Sequence, residues 1–220
     1  LCLQYYVNAG SYLIDPAVLS LLPWQAIAIS LGSLAAGWII YDLLCRRFAV
    51  SQPQLLAGLV FILIMGASYG YTQVYSGRGA FIHIGIFIGT LMAANVFAVI
   101  IPNQRKITAA LIRGEKPDPA LGATGKQRSL HNTYLTLPVL VMMVSNHYAM
   151  LTDHPQAWIL AGLIIVGGVA LRHFLVRHEV GDPLNKIAWT LPVIFLALCL
   201  AFWLTGAGPF DEDWWNLLLR

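Results

Sequence analysis

Apolar residues run through this chain in long blocks, broken by short connections that are polar or contain proline. Crossing a bilayer as a helix takes about 20 mainly apolar residues. Six blocks reach that length: Trp24 to Leu44, closed by Cys45-Arg46-Arg47; Leu55 to Tyr71, just after Pro53; Ala80 to Ile101, ended by Pro102; His131 to Met150; Ala157 to Phe174; and Ile187 to Leu204. The pattern predicts an all-α, polytopic transmembrane bundle, with residues 1–220 forming a single membrane domain. Before the first block, LCLQYYVNAGSYLIDP reads as the remnant of an earlier helix and an amphipathic stretch, and more chain is expected upstream. Pro138 and Pro192 fall inside predicted helices and are expected to kink them. After the last block, FDEDWWNLLLR reads as a short interfacial helix or the start of a linker.

Composition supports the membrane assignment. The 220 residues are 58% hydrophobic and only 10% charged, where a soluble domain carries about 25% charged residues. The net charge of +3 is small, and its placement matters more than its size. Arg46 and Arg47 follow the first block, six Lys and Arg residues between Arg105 and Arg128 separate the third from the fourth, and Arg172, Arg177 and Lys186 lie between the fifth and sixth. The opposite connections hold Arg78 and Asp153. Basic connections stay on the cytoplasmic side, so both ends of the chain are expected to face outward. Three cysteines lie far apart, with no CxxC, no CxxCH and no zinc spacing. GATGK lacks the Ser or Thr that a phosphate loop needs after its lysine, and nothing points to nucleic acid.

Polar groups at membrane depth are expensive and face a bundle interior, a partner or a cofactor. They concentrate between Gly79 and His147. The third block carries His83, the small pair Gly85 and Gly89, and Asn95; the fourth starts with His131 and Asn132 and ends with Asn146 and His147. Small residues four apart, here and at Ser33 and Gly37, allow close helix approach. Taking the blocks in alternating direction puts His83 level with His147 at the outer face and His131 level with His173 at the inner face. Either pair suits haem ligation by imidazole or a redox pocket; either also suits bonds to water and headgroups. Asn95 is expected to bond between helices, and His154 and His178 are expected in solvated connections.

These residues carry a resemblance. IHIGIFIGTLMAANVFAVIIPNQRK and RSLHNTYLTLPVLVMMVSNHYAM, with YLIDPAV, LPWQAIAI, AGWIIYDLLCR and GDPLNKIAWTLPV, resemble the membrane-bound urate oxidases of bacteria over nearly the whole chain. The resemblance implies a multi-helix membrane domain followed by a periplasmic cytochrome c domain. It also implies oxidation of urate to 5-hydroxyisourate, with electrons passed to cytochrome c. The chain holds no CxxCH, so haem c is expected outside it. On this basis Arg128, His131, Asn132 and His173 are expected to be catalytic, and Asn103, Arg105 and Asn146 to bind urate. His83 and His147 are expected to hold a haem iron and hand electrons outward. Two other readings stay open: a haem b electron-transfer subunit without its own substrate, and a transporter or structural membrane protein.

Overall fold

The computed structural model describes residues 2–49 and 51–206. The acidic and tryptophan-rich tail therefore lies outside the described residues, as do the side chains of Cys2, Leu3, Asn146, Ala149 and Met150. The elements follow in order: α1 (Cys2–Val7), α2 (Ala9–Tyr12), α3 (Pro23–Phe48), α4 (Pro53–Thr72), α5 (Gly77–Ala94), a π-helical segment (Asn95–Ile100), α6 (Ile101–Ile112) and α7 (Pro119–Val144). A 3-10 turn (Ser145–His147), α8 (Ala149–Thr152), α9 (Ala157–Glu179), α10 (Leu184–Ile187) and α11 (Thr190–Leu204) complete the chain. No strand occurs among the described residues.

Among the described residues, five helices are long and apolar enough to cross a membrane: α3, α4, the run Gly77–Ile112, α9, and Leu184–Leu204. The bundle is that of a membrane protein. Side chains such as Ile62, Phe97, Phe195 and Trp203 stay exposed on its outside, where lipid rather than water solvates them. The fourth predicted span departs from this pattern. Its helix, α7, starts at Pro119 rather than near His131, and its first half is too polar to count as a span by composition. Packing compensates, because α7 lies against both α5 and α9.

Proline placement explains the other differences. Pro102 was expected to end the third span, yet Gly77–Ile112 runs on as one helix of 36 residues. A proline cannot donate to the carbonyl four residues back and crowds it; the wider π turn at Asn95–Ile100 immediately upstream accommodates the mismatch. The stretch expected to be a polar connection from Pro102 to Arg128 is accordingly an α6–α7 hairpin whose turn is residues 113–118. Gly114 sits there at φ +72, a left-handed conformation that glycine adopts freely. The sixth span is broken: α10 stops at Ile187 and α11 begins at Thr190, placing Pro192 in the first turn of a new helix, where its missing N–H costs nothing.

Small residues set the helix spacing. A Cβ added at Gly85 would lie 2.9 Å from Met142 Cβ, so α5 and α7 approach as closely as backbone permits. The Phe87 ring fills the space over Gly37 on α3, and Pro138 of α7 packs onto Gly168 of α9. At the opposite end from the basic hairpin, the short helices α1 and α2 are tied in where Ser76 N–H donates to the Leu13 carbonyl (2.9 Å) and Ser76 Oγ to the Tyr12 carbonyl (2.8 Å).

Candidate functional site

α3, the π segment and α7 converge at the end of the bundle that carries the basic hairpin, and there they bury a polar network. Its centre is Arg128, only 2% exposed. One guanidinium nitrogen donates to Asp42 Oδ1 at 2.7 Å and the other to Asn95 Oδ1 at 3.3 Å. Its face lies over the Tyr41 ring, 5.1 Å from the centroid. Asp42 also takes a bond from Arg46 at 2.6 Å, one turn along α3. One carboxylate thus serves two guanidiniums, and the group carries one surplus positive charge. Arg128 Nε is buried with no partner.

From Arg128 the network spreads toward His131. Asn95 donates to the Tyr41 hydroxyl and to Asn132 Oδ1, each at 2.9 Å. Asn132 in turn donates to the Met92 carbonyl at 2.9 Å, satisfying a backbone group beside the π turn. With the Tyr41 hydroxyl accepting from Asn95, its own proton is free to go to His131 Nδ1, 2.9 Å away. Gln127, one turn before His131, brings its amide nitrogen to 3.0 Å from Nε2. Arg128, His131 and Asn132 project from adjacent turns of α7, and because that helix continues through them, they sit mid-helix rather than at a helix start.

His131 belongs to a second feature as well. It lines a cavity of about 440 Å³ between α4, α7, α9 and the start of α11, together with Tyr134, His173 and Trp189. The rest of the wall is aliphatic or phenyl, from residues such as Val60, Phe61, Ile165 and Val169. Tyr134 stacks on His173 with centroids 5.8 Å apart, and its hydroxyl is 2.8 Å from His173 Nδ1. The expected partnership of His131 with His173 is therefore a shared cavity.

The other expected residues lie apart from this centre. Asn103 donates to the Leu121 carbonyl at 3.2 Å, holding the α6–α7 hairpin together, and Arg105 is exposed on α6. The Asn146 side chain lies outside the described residues. His178 falls in the last turn of α9, stacked on Phe174 at 6.0 Å, rather than in a connection. His154 accepts from the Gln156 N–H at 3.0 Å and donates from Nε2 to the Leu204 carbonyl at 2.8 Å, joining the start of α9 to the end of α11.

The expected haem pair does not fit haem ligation. His83 is fully buried, its Nδ1–H donates to the Gly79 carbonyl at 2.8 Å, and Nε2 accepts from the Ser30 hydroxyl at 2.9 Å. Tyr75 and Tyr71 pack on the ring at 4.6 and 5.6 Å. Both nitrogens are committed and no face is left for a porphyrin. His147 is exposed in the 3-10 turn. Among the described residues, no three His, Cys, Asp or Glu side chains cluster as metal ligands.

Sequence reasoning missed Asp42, Tyr41 and Gln127. Asp42 left a usable signal, being an acid within an apolar block four residues from a basic one; Tyr41 and Gln127 are recognisable only once α3 and α7 are seen together. Comparisons with curated proteins and with solved structures return no match. A family model described as urate oxidase N-terminal matches residues 1–205. That match spans all of the described helices, and the chain belongs to the urate oxidase N-terminal family.

Proposed function

We propose that this chain oxidises urate to 5-hydroxyisourate at the basic end of the bundle, with two electrons passing on to a c-type cytochrome. The family match supports urate as substrate. The observation carrying the assignment of place is Arg128, buried with an unpartnered Nε inside a group of net positive charge. Urate is a planar monoanion rich in amide-like donors and acceptors. Arg128 supplies charge and a free N–H, and the Asn132 carboxamide, which has a second N–H besides the one given to Met92, supplies a donor and an acceptor. His131, adjoining them, takes up the proton released as water adds to the ring, at Nδ1 and by way of the Tyr41 hydroxyl bonded there. Urate monoanion and water give 5-hydroxyisourate, one proton and two electrons. Basic connections are held in the cytoplasm, so the site faces that side and the acceptor lies across the membrane. A haem b subunit lacking a substrate gains nothing from His83, whose nitrogens are both engaged.

The test is urate-dependent reduction of cytochrome c by the purified protein, read together with urate loss at its ultraviolet band. Arg128→Gln and His131→Ala are expected to lower turnover at least a hundredfold, the scale of a lost acid–base group. Arg46→Gln, at an exposed position on the rim, is expected to weaken urate binding only a few-fold. No urate loss with any electron acceptor overturns the proposal.

A further inference from the structure

The cavity beside His131 is the wrong shape of chemistry for urate. A purine trione monoanion with three N–H groups would leave most of them, and its charge, unpaired against the aliphatic walls contributed by Val60, Ile165 and Val169, and each unpaired polar group in such surroundings costs kilocalories. At about 440 Å³ the cavity is the size of a site for a small organic molecule. Its polar groups gather at one place, where Tyr134 and His173 are bonded to each other and Trp189 lies 5.6 Å from His173. With the Tyr134 hydroxyl donating to Nδ1, the His173 proton is on Nε2, and among the described residues no hydrogen bond engages that nitrogen. Val166 and Trp189, which also line the cavity, are exposed on the outside of the bundle. The cavity is therefore reached from lipid.

We infer that this cavity binds a quinone. An apolar ring and tail suit the aliphatic walls, and a ring carbonyl accepts from His173 Nε2–H, with Tyr134 and Trp189 against the ring. A phospholipid acyl chain would fill the same volume without needing the paired imidazole and phenol. His131 lines the cavity and also bonds to Tyr41 of the network, so one residue borders both sites. The redox role rests on the proposed urate oxidation: urate monoanion, water, quinone and one proton give 5-hydroxyisourate and quinol, the two electrons reducing the quinone. The quinone takes both electrons at once and, as quinol, gives them up singly with its two protons, so it stands between urate and the one-electron cytochrome.

Binding is tested separately from turnover. Purified full-length protein in phosphatidylcholine nanodiscs is titrated with a photoreactive azido derivative of decylubiquinone, with decylubiquinone and decanol as competitors. Saturable labelling is expected, displaced by decylubiquinone far better than by decanol. Val169→Trp, which fills the cavity, and His173→Ala are each expected to weaken it about tenfold or more, the loss of one well-made bond or of the packing volume. His173→Gln, which keeps a donor, should retain most of it, and size-exclusion profiles establish that each variant is folded. Labelling that ignores both Val169→Trp and His173→Ala, or equal displacement by decanol, overturns the site as a lipid crevice. Anaerobic urate-driven reduction of decylubiquinone is then followed. Binding without reduction leaves the quinone site standing and removes urate as donor. Urate oxidation through cytochrome c in a protein that does not bind the probe leaves the urate reading standing and removes the quinone.

Discussion

Asp42 decides whether Arg128 is tolerable. An unpaired guanidinium at this depth would be costly, and breaking a buried pair by removing one partner costs about 3–5 kcal/mol. Asp42→Ala is therefore expected to abolish accumulation of folded protein. Arg46→Ala, removing a partner that is 74% exposed, should leave yield almost unchanged, since exposed ion pairs contribute about 1 kcal/mol or less. Membrane yield and the size-exclusion profile of the two variants check this. Equal yields would mean that water reaches Arg128 and that its burial is incidental. At this scale the sequence told half the story. Arg128, His131 and Asn132, expected together at the inner helix ends, lie in one network, while His173 meets His131 only across the cavity. Asn103 and Arg105 were expected beside them, yet they serve the hairpin and its exposed face, because charge in a sequence does not say which side of a helix it occupies.

Helix contacts were legible where they depend on small side chains. Gly85 on α5 meets Met142 on α7, as the Gly-xxx-Gly spacing implied. Gly85→Leu should lower membrane yield severely, whereas Ile86→Leu, at a half-buried neighbour of similar volume, should be tolerated; equal yields would show that this face does not set the α5–α7 distance. The π segment was not legible, because an extra residue in one turn leaves hydrophobic periodicity nearly unchanged. It has a purpose in packing: it turns Asn95 toward Tyr41 and Asn132 and carries the chain through Pro102. Deleting Val99 is expected to restore ordinary α winding, rotate the hairpin, and lose urate turnover even where the protein still inserts. Retained turnover after the deletion would separate the π turn from the site.

For the whole molecule, the six-block pattern gave the helical class and most of the boundaries, and erred where polar residues are shielded by other helices. The orientation from basic residues is testable by thiol labelling of intact cells. Lys116→Cys, in the exposed hairpin turn, should resist an impermeant reagent, while Gln73→Cys, at the other end of the bundle, should react. The reverse pattern would turn the molecule over and place the proposed urate site in the periplasm.

The hairpin has a consequence for the protein as a physical object. At about 1.5 Å per residue, the 36 residues of Gly77–Ile112 make a rod of about 54 Å, against a hydrocarbon layer of about 30 Å. Its far third, with the first turns of α7 beside it, must stand clear of the bilayer, ending in the exposed turn that holds Arg113 and Lys116. Trypsin applied to inside-out vesicles should therefore nick the chain there first and yield two pieces of nearly half its length each. Held by the contacts between α5, α7 and α9, the halves should migrate as one particle until detergent and heat part them. Such a split chain, expressed from two separate open reading frames, should reassemble in the membrane.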